Sequence, residues 1–270
     1  MRILLFLFLT SQLLLSEVYY SKAEPYKFKK LSSSVTGEVI FVDEDMLGKK
    51  LSKKPFILID AEIDRAELRD VKEKLIHLKE TLSLNQKVLQ NLQEVLKRKR
   101  ANFKKTEALK IKSRIDKDRE YYDLVSSENA FISTQKEVNS LKNSIADLEL
   151  RETQLQKSLR DKQVTQEGYV LYSVDVKEGQ VVNIGTPLAT VADTSKALLT
   201  IYVDEDELEG IWQKIIYING QKSHYKILRA LKIADSVNIS KYKVQIAINA
   251  PKVFSQLTKV EFKGYKKDEK

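Results

Sequence analysis

Residues able to do chemistry are sparse in this chain of 270 residues, which has no cysteine and only two histidines, His77 and His224, far apart in sequence. Without cysteine there is no disulfide scaffold, thiolate zinc site, cysteine nucleophile or lipidated N-terminal cysteine. A histidine-based centre would have to be assembled from almost nothing. The sequence also lacks a glycine-rich phosphate loop, a His-Glu-x-x-His pair, a nucleophile elbow and an EF-hand spacing. The acidic clusters Asp43-Glu44-Asp45 and 204–207 place carboxylates on successive residues, without the alternate spacing of a calcium loop, and read as turn and helix-start residues. Met46 and the isolated histidines give no basis for copper or zinc handling. The expectation is a protein that is not an enzyme and has no cofactor and no metal.

What remains is charge. Lys and Arg number 47 against 38 Asp and Glu, a net +9 that invites a nucleic-acid reading. Eleven basic residues against three acidic ones fall between positions 97 and 119, so +8 of the excess sits in 23 residues. One basic end on a nearly neutral chain reads as a docking surface for an acidic partner, with a solvated helical face as the plain alternative. The residues expected to carry such docking are Lys110, Lys112, Ser113, Arg114 and Lys117.

The element that positions them is legible in the periodicity. Between Glu62 and Gln163 there is no Gly or Pro, and apolar residues recur at alternating spacings of three and four. One seam runs Leu68, Val71, Leu75, Leu78, Leu82, Asn85, Leu89, Leu92, Leu96, Lys99, Phe103. The other runs Leu124, Ser127, Phe131, Thr134, Val138, Leu141, Ile145, Leu148, Glu152, Leu155, Leu159. Five heptads of a/d pattern on each side make a coiled coil. The seams are mirror images, pairing Leu68 with Leu159, Leu82 with Ile145 and Phe103 with Leu124, as an antiparallel hairpin requires. The mirror point falls near residue 113, so 110–116 is the expected tip, with Ser113 or Asp116 as helix cap. Arms of nearly 50 residues reach roughly 75 Å at the helical rise. Asn85, Lys99, Ser127 and Glu152 interrupt the seam and are read as register-fixing positions.

At the N-terminus, Met1-Arg2 precedes a largely apolar stretch of 13 residues at 3–15 and then the small-x-small pattern Ser21-Lys22-Ala23. This reads as a signal peptide cleaved after Ala23, because a span needs about 20 apolar residues; an uncleaved anchor is the alternative. Either way the remainder is exported, which makes nucleic acid a poor partner.

The segments flanking the hairpin resemble each other. Gly37-Glu-Val-Ile-Phe-Val-Asp-Glu-Asp-Met-Leu-Gly48 is matched by Gly168-Tyr-Val-Leu-Tyr-Ser-Val-Asp-Val-Lys-Glu-Gly179, and each is followed by a Pro-led apolar run, from Pro55 and from Pro187. Short Val- and Ile-rich strands with Gly at the turns make two halves of one small β-sandwich. Neither half can bury its apolar face alone, so the hairpin is an insertion between them. Gly48, Gly179 and Gly185 are expected as positive-φ turn residues. Behind the second half come a strand at 198–203, a short helix at 204–210, a β-hairpin turning at Asn219-Gly220, and strands at 229–234, 242–249 and 259–262, a small β-barrel with His224 on one of its strands.

A half-motif, a long helical hairpin, and then Gly168-Tyr-Val-Leu with the run 176–193 (VKEGQVVNIGTPLATVAD) resemble the periplasmic adaptor subunits, or HlyD-like membrane fusion proteins, of tripartite efflux and secretion systems. The resemblance covers 34 to about 262. It implies an α+β fold, a split lipoyl-like β-sandwich with an inserted antiparallel α-helical coiled-coil hairpin and a small β-barrel behind. The expected units are a signal peptide at 1–23, lipoyl-like halves at 24–61 and 164–196, the hairpin at 62–163, the barrel at 197–263 and a polar tail at 264–270. It further implies a periplasmic, envelope-associated adaptor linking an inner-membrane transporter of RND or ABC type to an outer-membrane channel for export of small molecules. Such adaptors assemble as homo-oligomers, trimers or hexamers. True lipoyl carriers place a modified lysine where this chain reads Leu58-Ile59-Asp60-Ala61, without lysine, so carrier chemistry is not expected. A periplasmic tethering protein whose basic tip binds anionic envelope components is the other reading.

Overall fold

The computed structural model describes residues 18–235, 237, 238 and 240–265. In chain order the elements are β1 (Val18–Ser32), β2 (Gly37–Val42), β3 (Ile57–Ile59), α1 (Glu62–Ala108), α2 (Arg114–Asp161), β4 (Gln163–Val164), β5 (Val170–Val174), β6 (Val181–Val182), β7 (Pro187–Val203), α3 (Glu205–Leu208), β8 (Lys214–Ile218), β9 (Gln221–Lys222), β10 (Ile227–Ala234), β11 (Tyr242–Asn249) and β12 (Leu257–Tyr265). None of the described helices is long and apolar enough to cross a membrane.

The two sequence repeats meet. Strands β4, β3, β2 and β6 form one sheet, and it faces the part of a larger sheet built from β5, β7 and β1. Between them Val39, Phe56, Ile57 and Ile59 of the first half pack with Leu171, Val182, Leu188 and Val191 of the second. The halves also exchange backbone bonds: Gly48 N–H donates to the Leu171 carbonyl at 2.9 Å, and Gly179 N–H donates to the Val39 carbonyl at 2.8 Å. Gly48 and Gly179 close their turns at φ of 74° and 80°, a region that costs a side chain steric strain.

Beyond the sandwich the large sheet continues in the order β10-β11-β7-β1-β12-β8-β9. It wraps a second core of Leu199, Ile201, Val203, Ile211, Val244, Ile246, Val260 and Phe262. Strand β7 alternates here, with Ala197, Leu199, Ile201 and Val203 all inward. The two long strands β1 and β7 pair from Ala23 with Leu199 to Ser32 with Pro187, so one ribbon serves both cores. A bulge between Pro25 and Lys27 separates the two parts of that ribbon, as a proline in a strand commonly does.

Three expectations change. The segment 1–17 of the expected leader lies outside the described residues, but Val18 to Ala23 form the first part of β1. Five of them pair with β12, from Val18 with Glu261 to Lys22 with Leu257, and Ala23 is 2% exposed in the second core. The boundary expected after Ala23 thus falls inside a strand, and the second core uses residues from both ends of the chain rather than 197–263 alone. The physical reason is that small residues at alternate positions suit a buried strand face as well as a cleavage site: Ser21 and Ala23 face inward while Tyr20 and Lys22 face out. The units expected to part at 196–197 are likewise continuous through β7. Finally, His224 is not on a strand. Ser223 bonds the Ile216 carbonyl through both its N–H and its hydroxyl, ending β9, and the His224 ring lies on Tyr225 with 4.4 Å between centroids. The Asn219-Gly220 turn joins β8 and β9 with φ of 50° and 81°, the positive pair that a two-residue hairpin loop uses.

Candidate partner-binding site at the hairpin tip

The hairpin stands on a charged clasp. Helix α2 ends at Lys162, whose carbonyl accepts from Ile59 N–H of the sandwich at 2.9 Å. Its ammonium reaches 3.1 Å to Asp64 in the first turn of α1, and Ser158 donates to the same carboxylate at 2.5 Å. Burial of Asp64 opposes ionisation, but the Ser158 hydroxyl, the Lys162 ammonium and the Arg151 guanidinium outweigh it and hold the carboxyl below its usual range. One turn further out Arg151 grips Glu67 with two bonds of 2.6 Å.

Along the arms the mirrored seams interlock. Val71, Leu75, Ile145 and Leu155 form a buried cluster, with Leu68, Leu78, Leu82 and Leu148 against it. The polar seam residues divide into two kinds. Glu152 meets Lys72 at 3.9 Å and Lys99 meets Asp123 at 2.8 Å, both across the hairpin. Asn85 and Ser127 instead bond carbonyls of their own helices, those of Thr81 and Asp123.

The chain reverses over residues 109–113. Leu109 N–H donates to the Thr106 carbonyl and closes α1. Ser113 caps α2: its hydroxyl oxygen accepts from Asp116 N–H at 3.2 Å and its hydroxyl donates to the Asp116 carboxylate at 2.7 Å. Lys117 ties the two ends together by donating to the Glu107 carbonyl at 3.0 Å, where a cation also suits the helix C-terminus. The turn presents Ile111, 97% exposed, and the exposed Ile115 beyond these caps.

All five expected tip residues therefore gather at the far end of the hairpin, but in different roles. Ser113 and Lys117 hold the bend, and Lys112 meets Glu120 at 3.4 Å. Lys110 and Arg114 have no ion pair among the described residues. The basic window itself is narrower in charge than its sequence count. Glu120, Asp123 and Glu128 lie just past Arg119; Glu120 pairs with Lys112 of the turn, and Asp123 and Glu128 pair with Lys99 and Arg100 of the opposite arm. Without an ion pair among the described residues are Lys97, Arg98, Lys104 and Lys105 of α1, all exposed, together with Lys110, Arg114 and Arg119. Exposed pairs of this kind contribute about 0.2 to 1 kcal/mol each, so they set charge distribution more than stability. Among the described residues no group of three or more His, Cys, Asp and Glu side chains gathers as a metal site.

No protein-family model and no curated protein matches the chain. Solved structures do. MacA from Actinobacillus actinomycetemcomitans superposes with a TM-score of 0.69 at 18% identity, over 92% of this chain and 78% of that one. The membrane fusion protein Spr0693 from Streptococcus pneumoniae R6 gives 0.63 at 10% identity, over 92% of this chain and 99% of that one. A MacA–MexA chimera carrying the α-hairpin domain of Pseudomonas aeruginosa MexA gives 0.57 at 17% identity, over 92% and 81%. At such identities the likeness shows the fold alone: the chain has the fold of the membrane fusion proteins.

Proposed function

We propose that this protein is a non-enzymatic periplasmic adaptor. Copies of it assemble around an export conduit, with the β-domain of the second core toward an inner-membrane transporter and the hairpin tip on an outer-membrane channel. The observation that carries the reading is the hairpin itself. A 47-residue and a 48-residue helix, clasped at their base to a sandwich they interrupt, hold a small basic end roughly 70 Å away. Such a shape provides reach. The fold shared with MacA and Spr0693 supports the same reading.

Docking falls to Lys110, Lys112, Ser113, Arg114 and Lys117, with the direct contacts assigned to Lys110 and Arg114, whose charges are unspent. Ser113 and Lys117 shape the surface by holding the bend. Ring formation, export of small molecules and a transporter of RND or ABC type belong to the same proposal. A second reading is favoured by the exposed cations of α1 that have no ion pair: a tether whose tip binds anionic envelope components and moves nothing. A photo-activated cross-linker at Ile111 in living cells separates them. An adaptor captures an outer-membrane channel subunit; a tether captures none and retains anionic polymer or lipid.

A further inference from the structure

Four neighbouring strands of the β-domain, in the order β1-β12-β8-β9, share an outward face on which cations and apolar side chains are interleaved. In β12 the residues Thr258, Val260 and Phe262 turn inward, so Leu257, Lys259, Glu261 and Lys263 turn outward. The register carries this face sideways, because directly opposed residues project from the same side of a sheet. On β1, Tyr20 lies opposite Lys259 and Lys22 opposite Leu257. On β8, Tyr217 lies opposite Glu261 and Ile215 opposite Lys263. Lys222 of β9 lies opposite Tyr217 and completes the row. Four lysines thus stand among two tyrosines and the aliphatic Val18, Leu257 and Ile215.

The face is open and carries a net positive charge. Tyr20 is 62% and Leu257 66% exposed. The carboxylate among them, Glu261, is 5% exposed and lies beneath two of the cations, paired with Lys259 and, at 2.8 Å, with Lys263. Lys263 also stands 4.9 Å over the Tyr217 ring. Lys22 and Lys222 are exposed and have no ion pair among the described residues. Glu24, the next outward residue of β1, lies beyond the last pair with β12. This mixture suits a lipid surface. Lysine stems and tyrosine rings seat their apolar parts at headgroup level while their polar ends stay in water, and several such cations together attract anionic headgroups. The largely apolar run 3–15 precedes Val18, the first residue of this face, in sequence, and stable attachment to a bilayer takes two signals, here an apolar one and a basic one. A second copy is a poor occupant, because the same face of two copies sets lysines against lysines.

We infer that the outward face of β1, β12, β8 and β9 lies on the surface of an anionic lipid bilayer. Tyr20, Tyr217 and Leu257 enter the headgroup layer, and Lys22, Lys222, Lys259 and Lys263 meet lipid phosphates. This inference does not draw on the hairpin tip or on what the tip binds.

The chain has no cysteine, so Leu257→Cys in the full-length protein takes an environment-sensitive dye at one site. Ile233→Cys, exposed on β10 and away from the four strands, is the control. With vesicles of phosphatidylglycerol and phosphatidylcholine in equal parts, the dye at 257 is expected to shift to the blue and the dye at 233 to stay unchanged. The shift should weaken at about 1 M salt, where charges are screened within about 3 Å. The exposed double variant Lys22→Glu/Lys222→Glu should bind these vesicles about tenfold or more weakly. An unmoved dye at 257 overturns the proposal, whether no vesicle binds, which leaves the face to a protein partner, or vesicles bind through residues 3–15 alone. An equal shift with phosphatidylcholine vesicles also overturns it, because the lysines then play no part.

Discussion

The Lys162 ammonium at the end of α2 lies 3.1 Å from the Asp64 carboxylate in the first turn of α1, and the Lys162 carbonyl accepts from Ile59 of the sandwich. One residue thus fastens the returning arm to the outgoing arm and both to the body. A lever of roughly 70 Å magnifies any looseness at its base, so the clasp is where stiffness of the hairpin is decided.

Replacing Lys162 by Met leaves Asp64 half-buried without its cation, and replacing Asp64 by Asn leaves the buried Lys162 ammonium without its anion. Each is expected to lower stability by about 2 kcal/mol, the scale of a lost charged hydrogen bond in a partly buried site. Urea unfolding checks this; a change within about 0.5 kcal/mol, typical of a surface substitution, would mean the clasp is ornamental.

The clasp also gives stability an acid dependence of definite sign. Asp64 is held below its usual value in the folded chain, so the unfolded chain binds its proton first as pH falls. The contribution is whole above the ordinary carboxylate pKa and fades as pH drops through the lower folded value. Melting temperatures of the wild type and Asp64→Asn, compared from pH 6 down to pH 2, should therefore converge toward the acid end. A constant gap contradicts the assignment.

Removing residues before Glu24 should destabilise the β-domain, because it deletes the pairs of Val18 to Lys22 with β12 and the buried Ala23. Accordingly the N-terminus of the protein isolated from cells is expected at or before Val18. Intact mass decides it, and a well-folded species beginning at Glu24 would refute the role given to β1.

Two glycines make separable demands. A Cβ on Gly37 would stand 2.7 Å from Ile59 Cγ2, while one on Gly179 meets nothing and suffers only its φ of 80°. Gly37→Ala is expected to cost about 1 to 3 kcal/mol by overpacking the sandwich core. Gly179→Ala should cost about 1 kcal/mol by backbone strain. Chemical denaturation of the two variants side by side tests the order.

Much of this was legible in sequence because the forces involved are periodic. The seam that pairs Val71 with Leu155 repeats every 3.5 residues, and the cap at Ser113 needs only a short polar residue before a helix. Repeats such as Gly37 to Gly48 and Gly168 to Gly179 announced a sandwich for the same reason. What was hidden depends on distant partners. Ser21 and Ala23 look alike as a cleavage site and as the inner face of a strand, and only β12, more than 230 residues on, distinguishes the two. The tip charge was overstated because Glu120, Asp123 and Glu128 follow the basic run in sequence yet pair with it in space. Which of Lys110, Lys112 and Arg114 is free depends on that geometry alone.

The tip is the place to test the adaptor directly. A photo-cross-linker at Ile111, 97% exposed and outside the caps, should capture an outer-membrane channel subunit in cells, and the triple reversal Lys110→Glu, Lys112→Glu, Arg114→Glu should reduce that capture about tenfold or more. Absence of any channel subunit among the captured proteins, with the hairpin shown intact by circular dichroism, would contradict the adaptor reading.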